Sequence, residues 1–142
     1  MIHSSLLPLK PQWKSVSFPS TLYLFPVLDL LLQNVPKKHH DCIRLGLQEA
    51  LVNAAKHGNS LDVEKSVDVK FLKSGRSFTW VIADEGTGFA PPQTCQLPVN
   101  APQDIPDSAQ ECGRGIFILY QIFDEVLWSK GGTELKLSKV LS

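Results

Sequence analysis

The sequence predicts an α+β fold, a two-layer α/β sandwich in which helices cover one face of a mixed, mostly antiparallel sheet. Three observations predict it. Two stretches carry apolar residues at helical spacing, two others alternate apolar and polar residues around glycine-bearing turns, and one long segment between them shows neither pattern. The 142 residues, 43% hydrophobic and 20% charged, have the size and apolar content of one compact domain, so residues 1–142 are read as a single domain.

The elements follow in order. Gln12 to Phe18 alternates as a short strand, and Ser20 offers a cap to a helix reaching about Gln33, with Pro26 either near its start or at a kink. From His40 to His57 the residues Ile43, Leu47, Ala50, Leu51 and Ala54 recur on one helical face, and Gly58 ends the run. His39, His40 and Cys42 at the start of this helix lack the ligand spacing of a structural zinc site and read as a polar cluster. Val67, Val69 and Phe71, then Phe78, Trp80 and Ile82, alternate with polar or smaller residues on either side of Ser74-Gly75-Arg76-Ser77, which predicts a hairpin. Ala90 to Cys112 holds five of the ten prolines and no Lys or Arg, and is expected to be a long loop, either a functional lid or a disordered segment. Ile116, Leu119, Ile122, Phe123 and Val126 then predict a second amphipathic helix opening directly behind Gly113-Arg114-Gly115. Glu125 to Ser129 and Thr133 to Val140 flank Lys130-Gly131-Gly132 as a closing hairpin. The order is β-α-α-β-β-loop-α-β-β.

Charge and cysteine content narrow the function classes. Fourteen basic and fourteen acidic residues cancel, which removes the usual electrostatic argument for binding nucleic acid or a membrane surface. The sum conceals an asymmetry of +4 over residues 1–83 (10 basic, 6 acidic) and −4 over residues 84–142 (4 basic, 8 acidic). Three cysteines, an odd number, argue against a disulfide framework and for a reducing compartment, so a cytoplasmic location is expected. The longest apolar run, Leu22 to Val35, is interrupted by Pro26 and Asp29 and is shorter than the roughly 20 residues of a membrane span. The opening residues MIHSSLLPLK do not have the pattern of a secretion signal.

Three places carry chemistry. On a helical wheel with Ile43 at zero, Glu49, Asn53 and His57 fall at about 240°, 280° and 320°, a polar ridge beside the apolar arc, with Gly46 at about 300° leaving space next to it. Such a ridge lines a cleft or forms a solvated flank. Asp84-Glu85-Gly86-Thr87-Gly88-Phe89 stands where a strand ends; its glycines permit close backbone approach to a ligand and its Asp can accept from an amino group, although a solvent-facing turn explains the same residues. Gly113-Arg114-Gly115-Ile116 leads into a helix, where free N–H groups and Arg114 suit an anion, the alternative being a hinge with a surface arginine. Cys95 and Cys112, at the two ends of the long loop, are also placed to form a redox clasp.

Taken in order, Glu49-Ala-Leu-Val-Asn53-Ala-Ala-Lys-His57-Gly-Asn59, Asp84-Glu-Gly-Thr-Gly88-Phe and Gly113-Arg-Gly-Ile-Phe resemble the N, G1 and G2 boxes of the histidine-kinase-like ATPase superfamily, the Bergerat ATP-binding fold. More narrowly, the chain resembles the anti-sigma factor serine/threonine kinases of bacterial partner-switching systems over about residues 20–140. The resemblance implies ATP and Mg²⁺ as cofactors. It implies Asn53 as the metal-coordinating residue, Glu49 as general base, Asp84 on the adenine amino group, and Gly86 and Gly88 around the base. Lys56 and His57 fall at the phosphate side of the N box, residues 90–112 become the ATP lid, and Gly113, Arg114 and Gly115 hinge that lid and face the phosphates. By the same resemblance the partners are an anti-sigma-factor antagonist, phosphorylated on Ser or Thr, and a sigma factor or similar regulator held by a homodimer, with neither nucleic acid nor membrane bound directly. The absence of G-x-x-x-x-G-K-[ST], H-R-D and D-F-G excludes a P-loop fold and a eukaryotic-type kinase. A lid without Lys or Arg leaves Arg114 as the nearest cation to the terminal phosphate and keeps a second expectation open, a non-catalytic switch module that binds nucleotide or a partner.

Overall fold

The computed structural model of the chain describes residues 12–88 and 107–142, with the side chains of 107–114 left out of the description. Its elements are β1 (Lys14–Pro19), α1 (Phe25–Leu31), α2 (His40–Val52), β2 (Ser66–Ser74), β3 (Ser77–Ala83), α3 (Asp107–Ile122), β4 (Glu125–Ser129) and β5 (Glu134–Val140). A π-helical stretch, Asn53–Gly58, prolongs α2, and single 3₁₀ turns lie at Lys37–His39 and Lys130–Gly132. The five strands form one sheet in the order β1-β2-β3-β5-β4, and every described pairing is antiparallel.

Alternation along the strands decides which face the helices cover. The register carries two apolar rows across the sheet: Val16, Val69, Ile82, Leu135 and Trp128, and beside it Phe71, Trp80, Leu137 and Val126. A slip of one residue in any strand would turn its apolar set to solvent, so burial of one face fixes the register. Against these rows pack Leu28 and Leu31 of α1, Ile43, Leu47, Ala50 and Leu51 of α2, and Leu119 and Ile122 of α3, all buried. Trp80 sits at the centre of this core, its ring edge-on to Phe123 at 5.8 Å and stacked with Phe78 at 6.1 Å. The predicted two-layer α+β sandwich is the observed fold.

Four expectations about element detail change. Ser20 does not cap α1: the helix begins at Phe25 with Pro26 in its first turn, and its N-cap, Leu24, makes no side-chain bond. The Ser20 hydroxyl and amide both donate instead to the Lys65 carbonyl, at 2.8 and 3.1 Å, which ties the end of β1 to the start of β2. The space at Gly46 is filled rather than open, because a Cβ there would lie 2.6 Å from the Phe123 ring. Phe123 needs that room to reach Trp80.

The third change concerns α3, which begins at Asp107, so Gly113, Arg114 and Gly115 lie inside the helix and not ahead of it. Asp107-Ser-Ala-Gln-Glu has good helix formers behind an acidic first residue, and two interior glycines weaken a helix by about 1 kcal/mol each without forbidding it. Residues 107–112 of the expected lid are therefore helical. Most of the lid, and Cys95 of the proposed clasp, lie outside the described residues, as does the Cys112 side chain. The fourth change is the π-helical stretch, where the i→i+5 pattern advances each residue by roughly 80° instead of about 100°. Asn59 N–H bonds the Ala54 carbonyl at 2.9 Å in that pattern. The slower rotation carries His57 from the core side of the ridge to its outer edge, where it is exposed, and turns Asn59 inward.

Candidate functional site

The candidate residues lie on three segments distant in sequence: α2 with its π-helical prolongation, the turn after β3, and α3. The last turn of α2 contributes Glu49 and, at the start of the π-helical stretch, Asn53, both half-buried. They face α3: a Cβ on Gly115 would lie 2.6 Å from Glu49 Oε2 and 3.7 Å from Asn53 Nδ2. Only glycine at position 115 leaves the carboxylate and the carboxamide uncovered at the helix crossing. Asn53 Nδ2 is buried without a hydrogen-bond partner among the described residues, and an orphaned buried amide in a cleft marks a place for a ligand atom.

Asp84 forms the second wall. Its amide donates to the Thr133 carbonyl at 2.9 Å, and its carboxylate accepts from the Gly86 amide at 2.8 Å. A side chain on Gly58 would collide with the Asp84 carboxylate, and one on Gly86 would collide with the Gly58 carbonyl. The end of the π-helical stretch and the strand-end turn are thus in backbone contact. Burial raises the Asp84 pKa from its ordinary value, and the Gly86 N–H bond opposes that shift. Gly88, at φ +84°, adopts a backbone conformation that L side chains rarely take and abuts the Gly131 carbonyl of the β4–β5 turn.

The structure therefore places Glu49 and Asn53 against Gly115, Asp84 against Gly58 and Gly86, and Gly88 against the β4–β5 turn, with the stretch from Asn53 to Gly58 joining the first two groups. Lys56 and His57 are exposed on the outer side of the π-helical stretch. Gly113 lies about two turns inside α3, so its N–H belongs to the helix ladder and not to a free helix start; the Arg114 side chain is not described. His40 Nε2 meets the Val35 carbonyl at 2.7 Å and His39 Nε2 the Ser142 carbonyl at 3.2 Å, contacts that pin a helix start to its surroundings.

Three residues that sequence reasoning did not single out also shape the cleft. Gly58 read only as a helix stop, Thr133 only as the residue after a turn, and Asn59 only as the last letter of a motif. Asn59 is fully buried. Its position, at the C-cap of a helix and next to a glycine, was the one signal that it faces inward.

The residues present fit a hard divalent cation bound with phosphate. Among the described residues no three His, Cys, Asp or Glu side chains cluster, and Mg²⁺ usually takes only one or two protein oxygens, completing its shell with water and phosphate. The Asn53 carboxamide beside Glu49 supplies that limited set. Among the described residues no helix is long and apolar enough to cross a membrane.

A comparison with curated proteins finds no match. Residues 30–139, which include every side chain of the cleft, match the Histidine kinase-like ATPase domain family. With the α+β sandwich, the carboxylate and carboxamide one turn apart on α2, and the strand-end Asp among glycines, that match has a single reading: the chain belongs to the histidine kinase-like ATPase family.

Proposed function

We propose that the protein is an ATP- and Mg²⁺-dependent protein serine/threonine kinase that acts as an anti-sigma regulatory factor, phosphorylating an anti-sigma-factor antagonist and holding a sigma factor or similar regulator. The observation that carries the kinase reading is the placement of Glu49. A nucleotide-binding pocket has no need of an acidic side chain next to the metal-binding Asn, whereas phosphoryl transfer needs a base there. Asn53 would hold Mg²⁺, which when bound neutralises phosphate charge and orients the terminal phosphoryl group. Asp84 accepts from the adenine amino group while Gly86 and Gly88 keep the backbone close to the ring. Glu49 accepts the proton of the substrate Ser or Thr hydroxyl as its oxygen bonds to the γ-phosphorus and the bond to the ADP oxygen breaks. With no Lys or Arg in residues 90–112, Arg114 is the candidate cation for the transferred group.

Labelled ATP, Mg²⁺ and a cognate antagonist test the reading. Label should appear on Ser or Thr of the antagonist, and Glu49→Gln should reduce transfer by at least about 100-fold while ATP still binds. Transfer unaffected by that substitution would remove Glu49 from the mechanism. A second reading, a non-catalytic switch, is favoured by the lack of Lys and Arg in residues 90–112 and by the helical position of Gly113 and Gly115. Its nucleotide-binding form predicts heat on mixing with Mg-ATP and no transfer; its partner-binding form predicts neither.

The protein acts as a homodimer in the cytoplasm under this proposal. Tyr23 and Phe25, 70% and 65% exposed with their rings in edge contact at 6.5 Å, support a face that a second copy covers.

A further inference from the structure

Asn59 joins four parts of the chain at one buried point. Its Nδ2 donates to Ser20 Oγ at 2.9 Å and to the Ser66 carbonyl at 2.9 Å, and its Oδ1 accepts from the Glu85 amide at 2.7 Å. Its own amide closes the π-helical stretch on Ala54. A carboxamide offers two donors and an acceptor oxygen, and all three are engaged here. The links to Ser20 and Ser66 hold the ends of β1 and β2. The link to Glu85 does something different, because Glu85 stands between Asp84 and Gly86, the two residues whose carboxylate and amide form the wall of the cleft.

Glu85 is held from its other side as well. Its carboxylate accepts from the Ser66 amide at 2.6 Å and lies 3.4 Å from the Ser66 hydroxyl. The Asp84–Gly86 turn is thus attached to the Asn59 carboxamide and to the first residue of β2, and Asn59 stands on the same helical run as Glu49 and Asn53. Without the Asn59 bond the Glu85 amide would be left unsatisfied in a partly buried place, and the turn would rotate to find another acceptor.

We propose that Asn59 is a positioning residue for base recognition: by holding the Glu85 amide it fixes the direction of the Asp84 carboxylate, and so sets discrimination between a 6-amino and a 6-keto purine. The proposal rests on Asp84 as the base contact. ATP and ITP, which differ at purine position 6, report it directly. In the wild-type protein ATP binds more tightly than ITP. Asn59→Leu, which removes the acceptor at similar size, lowers the ATP-over-ITP ratio by about 10-fold, because a site that no longer presents its hydrogen-bonding group loses its preference. Asn59→Asp keeps an oxygen for the Glu85 amide, and at a temperature where it is folded retains the ratio within about 2-fold. Ser20→Ala breaks the same hub away from the turn and leaves the ratio unchanged, although the protein melts lower.

Hydrogen exchange at the Glu85 amide of the wild-type protein gives a reading independent of variant folding. Protection comparable with that of β2 supports the tether, and exchange at the rate of an open loop overturns it. Retention of the wild-type ratio by folded Asn59→Leu also overturns it. If the wild-type protein shows no preference for ATP over ITP, the assignment of Asp84 to the base fails, and the exchange measurement still decides whether Asn59 holds the turn.

Discussion

Asp84 carries two conflicting demands at one carboxyl group. Under the proposed function Asp84 accepts from an amino group, which the ionised form does more strongly, and burial disfavours that form, raising its pKa. The folded protein therefore binds the Asp84 proton more tightly than the unfolded chain does. The stability this contributes is complete below the ordinary carboxylate pKa and is lost as pH rises through the raised value. Asp84→Asn removes the conflict while preserving an acceptor for the Gly86 amide. We expect it to melt at a higher temperature than the wild type at neutral pH, to lose part of the fall in melting temperature above about pH 4, and to bind ATP at least about 10-fold more weakly. Melting curves across pH with calorimetric titration check all three. Two glycines separate packing from binding in the same way. Gly46→Ala crowds the Phe123 ring and should lower stability by about 1–3 kcal/mol with ATP affinity retained, whereas Gly58→Ala pushes on the Asp84 carboxylate and should weaken ATP binding as well. Equal ATP affinity in the two variants would contradict the placement of Gly58 in the cleft wall.

At the scale of elements, the central strand sets the pattern of stability. β3 has partners on both sides, and it carries Trp80 into the core and Asp84 to the cleft, whereas β1 and β4 are the two edges of the described sheet. Amide exchange should accordingly be slowest in β3 and its neighbours β2 and β5, and faster in β1 and β4; equal protection in β1 and β3 would count against this sheet order. The elements themselves were readable because each rests on a local pattern, Ile43-Leu47-Ala50-Leu51 for α2 and Val67-Val69-Phe71 for β2. Details that depend on distant partners were not. Ser20 has the local signature of a cap, but its hydrogen-bond partners are Lys65 and Asn59, which no spacing rule connects to it. Asn59 falls outside the apolar arc on a wheel of constant pitch, and the π-helical stretch after Asn53 breaks that assumption and turns it inward. Gly113 and Gly115 resembled a helix start, while the structure tolerates them inside α3, where Gly115 makes room for Glu49.

For the whole molecule, the net charge of zero gives little guidance, and the arrangement of polar groups in the cleft gives more. Sequence order brought together Glu49, Asn53, Asp84 and Gly115 as candidates; folding sets Glu49 and Asn53 against Gly115 and joins the turn carrying Asp84 to the end of the same helical run at Gly58. Their separation in the chain also explains why Asn59 was overlooked, since its importance lies in reaching Ser20, Ser66 and Glu85 at once. The exposed pair Tyr23 and Phe25 belongs to this scale too. Under the proposed homodimer, Tyr23→Glu combined with Phe25→Glu should sediment as a monomer where the wild type sediments as a dimer, while leaving ATP affinity within about 2-fold, because both residues are remote in the chain from the cleft residues. A variant that sediments as the wild type does would remove Tyr23 and Phe25 from any contact between copies.

The Thr133 carbonyl that accepts from the Asp84 amide and the Gly131 carbonyl that abuts Gly88 both belong to the hairpin closing the sheet. A growing chain emerging from the ribosome has made Glu49, Asn53 and Asp84 well before it has made residue 133. Until then β3 lacks one of its two neighbours, and the wall of the cleft has no backing. Pairing β3 with β5 also spans a large loop, which makes it a slow, late step in folding. The ability to bind nucleotide should therefore arise abruptly, once the β4–β5 hairpin has docked, and a nascent chain stalled before residue 133 should fail to retain ATP even though it already carries Glu49, Asn53 and Asp84.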